Sequence, residues 1–294
     1  MPELPEVETI ARDVQSALVG HRVADARILD AAVLRPVPPA ADPIAYLRGA
    51  TISRGRRRAK HLLIDLVGPT GEPLLLGIQL LIYGQLLLDS ADAAPEPGLR
   101  LVLILDDGRE VRLADESGYV RARVGPAGET AAALGLAKLG PEPFSEEFTV
   151  ERLAGILGGR RGKLKPLLLD QERVAGLGNI YVDESLWAAR LHPERVAGSL
   201  RQEEVEALHA AIRANLARGI EDRGTTFDSY RDLFGRPGGH QRNLAVFQRT
   251  GKPCPRCGTK VRRTEVGGRP TYTCPVCQLL VPPSELPAPR PEGF

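Results

Sequence analysis

Apolar residues recur at helical spacing from the start of the chain. Val7, Ile10, Ala11, Val14 and Leu18 form one stripe that ends at Gly20, and Pro5 suits the first turn of such a helix. From about residue 20 to 140 the period changes to that of strands. Residues 61–66, 74–88 and 99–105 are apolar strand candidates, and Asp106-Asp107-Gly108 joins the last of them to residues 110–113 as a hairpin. Leu101, Leu103 and Leu105 alternate with Val102 and Ile104, which are equally apolar, so that strand is expected to be covered on both faces, as in a sandwich. Residues 91–98, with Pro95 and Pro97, read as a loop. Helical spacing returns after about 145, over residues 148–157, 164–170, 180–190 and 199–220. In the last of these Ser199 and Gln202 have the spacing of a capping box, and Val205, Leu208, Ile212 and Leu216 form a core stripe. Gly140-Pro141-Glu142-Pro143 marks the change of period and the expected domain boundary, with a cleft between a β domain and a helical one. No internal repeat is present, and the Pro-rich tail after Val281 is expected to be disordered.

At 294 residues, 43% hydrophobic and 26% charged, the chain is large enough for about two cored domains. A formal net charge of only +2 means that a polyanionic partner must be met by local patches. The longest apolar run, Leu74-Leu75-Leu76-Gly77-Ile78-Gln79-Leu80-Leu81-Ile82, is broken by Gly and Gln and is too short to span a membrane. The first residues lack the basic start and apolar stretch of a signal peptide, so a cytoplasmic protein with no membrane partner is expected.

All the cysteines cluster in one segment. Cys254-Pro255-Arg256-Cys257 is followed after sixteen residues by Cys274-Pro275-Val276-Cys277. Two such knuckles aim four sulfurs at one ion, which predicts a single structural Zn²⁺ with no open position for water. Disulfides are the alternative, disfavoured in a chain without a secretion signal. Between the knuckles, residues 261–265 and 270–272 read as strands around Gly267-Gly268, with Arg269 at the hairpin tip. Residues 249–272 carry seven Lys/Arg against one acidic residue, so even with the two negative charges of a four-thiolate zinc site this hairpin suits a phosphate backbone.

The chain opens Met1-Pro2-Glu3-Leu4-Pro5-Glu6-Val7-Glu8-Thr9. Removal of Met1 leaves the secondary amine of Pro2 beside a carboxylate. An α-amine has a reference pKa near 8, so far more of it is neutral at pH 7 than of a lysine side chain. Condensation of a secondary amine with a carbonyl-level carbon gives a cationic iminium, an electron sink. The helix dipole further disfavours the protonated amine. A plain Pro-Glu helix cap is the bland alternative at these positions.

Taken together, Pro2-Glu3-Leu4-Pro5-Glu6-Val7-Glu8-Thr9, the internal Gly178-Asn179-Ile180-Tyr181 and the four-cysteine hairpin with Arg269 resemble the formamidopyrimidine-DNA glycosylase and endonuclease VIII family over nearly the whole chain. The resemblance implies an α+β protein: an N-terminal helix and two-sheet β-sandwich (1–140), a helix-two-turns-helix domain (145–245), a zinc finger (246–282) and a tail (283–294). It also implies a monomeric, nucleoid-associated base excision repair enzyme, both glycosylase and lyase, acting on damaged double-stranded DNA. Pro2 would attack C1′ of an extruded nucleotide, and Glu3 would be the general acid and base, with Glu6 supporting the site. Lys60, in Arg56-Arg57-Arg58-Ala59-Lys60-His61, matches the family's phosphate-contacting hairpin lysine, although a solvated basic turn would look the same. Asn179 and Arg269 would complete the phosphate clamp, with Lys163 and Lys165 as secondary contacts, although a plain Asn in a glycine-rich turn and a solvated basic face would look the same.

The sequence departs from the formamidopyrimidine branch in the residues that fill the space left by the extruded base. Where that branch has His-Leu-Gly-Met-Ser-Gly, this chain has Gln79-Leu80-Leu81-Ile82-Tyr83-Gly84. Asp115-Glu116-Ser117-Gly118-Tyr119-Val120 replaces Asp-Pro-Arg-Arg-Phe-Gly and loses its arginine. Leu81-Ile82-Tyr83-Gly84 resembles the single wedge loop of the endonuclease VIII branch, so Leu81, Ile82 and Tyr83 are the candidate fillers, with Tyr119 alongside; a buried strand end is the alternative. Gly224-Thr225-Thr226 and the stretch from Tyr230 to Gly239 follow the formamidopyrimidine branch, where they form a loop over an oxidised purine. Oxidised purines, 8-oxoguanine and ring-opened forms, are therefore the expected substrates, with oxidised pyrimidines as the alternative. A non-catalytic lesion-binding zinc protein is a second possibility. A metal-dependent nuclease is weaker, since the five histidines are scattered and no carboxylates have a two-metal spacing.

Overall fold

The computed structural model describes residues 1–280, so the expected tail, 283–294, lies outside the described residues. Two compact units are present. The first comprises Met1–Lys138 and Gly219–Gln241, and the second comprises Leu139–Arg218 and the segment from Arg242 onward. The leading segment of the first unit ends at Lys138, just before Gly140-Pro141-Glu142-Pro143. Residues 219–241, expected within a helical domain at 145–245, pack instead in the first unit.

The first unit begins with α1 (Leu4–Ala17), whose stripe Val7, Ile10, Ala11 and Val14 is buried. Strands β1 (Val23–Ile28) and β2 (Leu34–Pro36), the short helix α2 (Pro43–Leu47), strands β3 (Thr51–Arg58), β4 (His61–Val67), β5 (Pro73–Gln79), β6 (Gln85–Ser90), β7 (Leu99–Leu105), β8 (Arg109–Ala114) and β9 (Arg121–Pro126), and helix α3 (Ala127–Ala133) follow. They build a five-stranded sheet in the order β2-β9-β5-β4-β3 and a four-stranded sheet in the order β1-β7-β8-β6. Leu62, Ile64, Leu76, Ile78 and Val124 of one sheet share a single core with Leu101, Leu103, Val111 and Leu113 of the other and with the α1 stripe.

The far face of β7 is covered by a polar device. Val102 is opposite Arg112, whose guanidinium donates to the carbonyls of Ser90, Ala93 and Ala94 and to Glu110, folding the 91–98 loop beneath the strand. The single apolar run 74–88 divides into β5 and β6, which belong to different sheets. The break lies at residues 80–84, where Leu81 takes a positive φ of 52° and a Cβ on Gly84 would sit 2.4 Å from the Leu80 carbonyl oxygen.

In the second unit α4 (Val150–Leu157), α5 (Leu164–Leu169), α6 (Asn179–Ala188) and α7 (Gln202–Glu221) precede a hairpin of β10 (Arg262–Val266) and β11 (Arg269–Thr273). Val205, Leu208, Ile212 and Leu216 are buried as expected. The Ser199 capping box does not form. The Ser199 hydroxyl donates to Val196 O and accepts from Arg195, and the start of α7 is instead closed by Arg201 N–H donating to Glu204 at 2.8 Å.

Candidate active site and nucleic-acid interface

Helix α1 fixes the N-terminal residues against the edge of the five-stranded sheet. Arg57 of β3 donates to Glu8 at 3.0 Å, and Gly55 N–H donates to the Gln15 side chain at 3.0 Å. Gly55 is required there, because a Cβ would lie 2.7 Å from Val14 and 2.8 Å from the Ala11 carbonyl oxygen. Rising numbers along β3 thus match falling numbers along α1, which puts Pro2 and Glu3 at the end of the sheet occupied by the β3–β4 turn. That turn carries Lys60, half-buried, after Ala59 at a φ of 51°. Pro2 and Glu3 are buried, and Met1 is 48% exposed.

Glu6 ties this helix start to the distant 219–241 segment. One of its carboxylate oxygens accepts from Glu3 N–H at 2.9 Å and the other from Thr225 N–H at 2.7 Å. Gly224 beside it, at a φ of 84°, has no room for a Cβ, which would meet both Glu6 and Tyr230 at 2.9 Å. The Tyr230 hydroxyl donates to Arg223 O at 3.1 Å, and burial together with the Glu6 charge drives its pKa upward, so it stays neutral. Arg223 bridges Asp13 of α1 and Asp232, which also accepts from Arg236 at 2.9 Å. Burial of Asp232 is outweighed by the backbone N–H of Arg236 and the Arg223 guanidinium, which keep it below the usual carboxylate range. These contacts make the loop 222–240 an extension of α1. Thr225 and Asp232 lie in the two stretches that follow the formamidopyrimidine branch, whereas Asp13 and Arg223 carry no local motif.

The proposed wedge residues stand on two neighbouring loops of the first unit. Ile82 and Tyr83 are exposed at the β5–β6 connection, and Leu81 is half-buried. Ser229 donates to Ile82 O at 3.3 Å, and Gln85 donates to Ser229 O, which joins the wedge to the 222–240 loop. Tyr119 is exposed on the β8–β9 connection, whose shape is held by buried Asp115 accepting from Ser117 and Val120.

In the second unit the four-cysteine hairpin is docked by its second strand. Gly267 and Gly268 both have positive φ, as a two-residue hairpin turn demands, and a Cβ on Gly267 would strike Pro166 at 2.8 Å. Exposed Arg269 follows them. Asn179, at the start of α6, donates to Pro270 O at 2.8 Å. Lys165 does not fit the role expected of it. Its side chain is 0% exposed, and its ammonium donates to Asp183 at 2.7 Å and to Pro270 O and Thr271 Oγ1 at 2.9 Å. It cannot reach a phosphate and instead fastens the hairpin beneath Arg269. Burial pushes the Asp183 carboxyl upward against the pull of Lys165, and Asp183 also accepts from Tyr272 N–H at 3.0 Å. Lys163 is exposed but paired with Glu194.

Lys165→Met is expected to cost about 3–5 kcal/mol in chemical unfolding of the second unit, because it leaves a buried carboxylate unpaired. The double variant Lys165→Met with Asp183→Asn is expected to recover part of that loss. An equal loss in both would mean that the cost does not come from the stranded Asp183 carboxylate.

The four cysteines meet at one point, with sulfurs all within 4.8 Å of one another and no disulfide among them. Cys254–Cys277 and Cys257–Cys274 sulfur separations of 3.9 and 3.4 Å bracket the edge of about 3.8 Å that a tetrahedral zinc site with bonds of about 2.3 Å requires. The residues therefore fit the ion. Trp187 Nε1–H donates to Cys254 at 3.3 Å, and the Arg256 guanidinium stacks 4.2 Å from the Trp187 ring, fixing the first knuckle to α6. The buried Glu184 carboxylate accepts the N–H groups of Ala245, Val246 and Phe247, which sets the chain's approach to the finger.

Residues 1–121 match the formamidopyrimidine-DNA glycosylase N-terminal domain, residues 139–230 the formamidopyrimidine-DNA glycosylase H2TH domain, and residues 251–279 the zinc finger found in FPG and IleRS. The formamidopyrimidine-DNA glycosylase of Symbiobacterium thermophilum is 46% identical over 95% of this chain and 89% of its own length. The chain belongs to the formamidopyrimidine-DNA glycosylase family. Solved family members superpose closely. The MutM (FPG) protein of Thermus thermophilus has a TM-score of 0.84 at 38% identity, covering 96% of this chain and all of its own. A Lactococcus lactis FPG mutant in complex with Fapy-dG-containing DNA has a TM-score of 0.86 at 32% identity, covering 95% of this chain and all of its own. The α+β class with a helix-two-turns-helix domain and a four-cysteine finger, as the resemblance implied, is the fold of this family member.

Proposed function

We propose that this DNA glycosylase of base excision repair excises 8-oxoguanine and formamidopyrimidines from damaged double-stranded DNA through a Schiff base on Pro2, then cleaves the strand by β,δ-elimination. The observation that carries the reading is the burial of Pro2 and Glu3 together at the start of α1, behind an exposed Met1 whose removal frees the proline nitrogen. That nitrogen bonds to C1′ of the extruded nucleotide as the glycosidic bond breaks and the base leaves with a proton. Glu3 delivers a proton to the ring oxygen, the sugar opens, and the nitrogen lone pair forms the iminium. Loss of the C2′ proton then expels the 3′ phosphate, and a second elimination expels the 5′ phosphate.

Lys60, Asn179 and Arg269 hold the backbone, while Leu81, Ile82, Tyr83 and Tyr119 occupy the vacated stack. Glu6 acts by position, since both of its oxygens are committed to Glu3 N–H and Thr225 N–H. The zinc ion, held by Cys254, Cys257, Cys274 and Cys277, shapes the hairpin and takes no part in the chemistry. On this reading the enzyme works as a monomer on the chromosome, in the cytoplasm. No helix among the described residues is long and apolar enough to cross a membrane.

The order of substrates rests on Gly224-Thr225-Thr226 and the stretch from Tyr230 to Gly239, which follow the formamidopyrimidine branch; Glu6 and Arg223 tie this segment to α1. Single-turnover excision from 8-oxoguanine and thymine-glycol duplexes tests it. Faster release of 8-oxoguanine is expected, and release of thymine glycol alone would transfer the protein to the pyrimidine reading.

A further inference from the structure

Three arginines share one face of the five-stranded sheet. β2 runs parallel to β9 with Arg35 opposite Arg123, and β9 runs antiparallel to β5 with Arg123 opposite Gly77 and Arg121 opposite Gln79. Residues two apart on a strand point the same way, so Arg35, Arg121, Arg123 and Gln79 lie on the face turned away from the Ile78, Ala122 and Val124 core. They line a cavity of about 270 Å³, closed on one side by Ala133 and Leu134 at the end of α3. Like charges directly opposite on adjacent strands are destabilising. Among the described residues no carboxylate pairs with Arg35, Arg121 or Arg123. Arg121 donates through Nη1 to the carbonyls of Gly118, Tyr119 and Val120 at 2.8–2.9 Å, which leaves Nε and Nη2 for a ligand.

The cavity lies at the sheet end where the other candidate groups gather. Gln79 is the last residue of β5 before the Ile82-Tyr83 loop, and Arg121 the first residue of β9 after the Tyr119 loop. Ile78, next to Gln79, pairs with Leu62, two residues from Lys60. We infer that Arg35, Arg121 and Arg123, with the amide of Gln79, form a binding site for a phosphodiester of duplex DNA at the base of the two wedge loops. Planar guanidinium forks match phosphate oxygens, and the apolar wall from α3 removes water from one side of the contact. A phosphate seated there would relieve the Arg35–Arg123 repulsion and hold the backbone while Tyr83 and Tyr119 enter the stack.

The inference rests on the DNA-repair reading, and its test separates the two. Binding of a lesion-containing duplex is measured against salt for the wild type, Arg123→Gln and Arg35→Gln. Arg48→Gln is the charge control. Arg48 is exposed, pairs with Asp25 at 2.7 Å, and sits at the opposite end of the sheet next to β3's start. Loss of one phosphate contact lowers the slope of log affinity against log salt by about 0.9, so the affinity lost between about 50 and 200 mM salt shrinks by about 3.5-fold. That change is expected for Arg123→Gln and Arg35→Gln and not for Arg48→Gln.

Melting with and without inorganic phosphate at equal ionic strength distinguishes a DNA phosphodiester from a small-anion site. Equal salt slopes in all four proteins would overturn the inference, even if phosphate still raised the wild-type melting temperature. Failure of the wild type to form a borohydride-trapped adduct would instead strike the catalytic reading and leave the salt comparison intact.

Discussion

Protein whose Pro2 nitrogen is capped, by retained Met1 or by acetylation, is expected to lose strand scission at an abasic site by a factor on the order of 10⁴. Its affinity for the same duplex should change by no more than about threefold, because phosphate contacts and not the amine supply most of the binding. The asymmetry follows from the chemistry. An amide nitrogen has no available lone pair and cannot become an iminium, so the electron sink that makes the C2′ proton removable never forms. Lys60 on the neighbouring β3–β4 turn is the amine from which Pro2 has to be told apart. Glu3 is a carboxylate, and Lys165, the most buried amine of the second unit, is committed to Asp183 and the hairpin. Borohydride reduction followed by mass spectrometry of the joined peptide identifies the bonding residue. A sugar attached anywhere but Pro2, or scission undiminished in capped protein, would remove the basis of the mechanism.

Much of the framework was legible because its signals are local. The α1 stripe, the Asp106-Asp107-Gly108 hairpin and the Gly267-Gly268 turn each depend on a few consecutive residues, and each forms where its pattern predicts. β3 was hidden. Its last residues belong to Arg56-Arg57-Arg58-Ala59-Lys60-His61, which also reads as a solvated basic turn, but an edge strand can carry charge on its open side, and Arg56 and Arg57 there are paired with Asp65 and Glu8. The hydrophobic pattern does not mark the break at residues 80–84, since these residues are as apolar as the strands on either side, and only the family resemblance singles out Leu81-Ile82-Tyr83-Gly84.

Long-range partners were the least visible part of the site. Lys165 looks like one more cation in a basic run with Arg160, Arg161 and Lys163, and only Asp183 and Thr271, 18 and 106 residues away, reveal it as internal. Glu6 and Thr225 meet across 219 residues, so the commitment of Glu6 to a structural task could not be read from the helix alone. The Arg35–Arg123 pair depends on a parallel register between β2 and β9, and β2 is only three residues long. No periodicity is detectable in so short a strand.

Removal of the zinc ion is expected to abolish specific DNA binding and to unfold the finger while leaving the first unit intact. The described hairpin is small: β10 is almost wholly exposed, and few of its apolar residues, chiefly Val261, Val266 and Tyr272, are buried. So little core cannot offset the entropy of ordering residues 251–279, whereas a four-thiolate zinc site contributes about 10–16 kcal/mol of apparent folding free energy. The only tryptophan of the chain reports the event directly, because Trp187 donates to Cys254 and stacks with Arg256. Chelation should shift Trp187 emission to the red and lower affinity for an abasic duplex by at least about 100-fold, as Arg269 loses its fixed position and the basic hairpin disperses. Cys274→Ser should reproduce both effects without chelator, since Cys274 is fully buried and its N–H is held by the Gln278 side chain. Borohydride trapping at high protein concentration should survive in part, because Pro2 and Glu3 belong to the other unit. Unchanged emission and affinity after complete removal of the metal would show that the hairpin stands without the ion and that the four cysteines have another purpose.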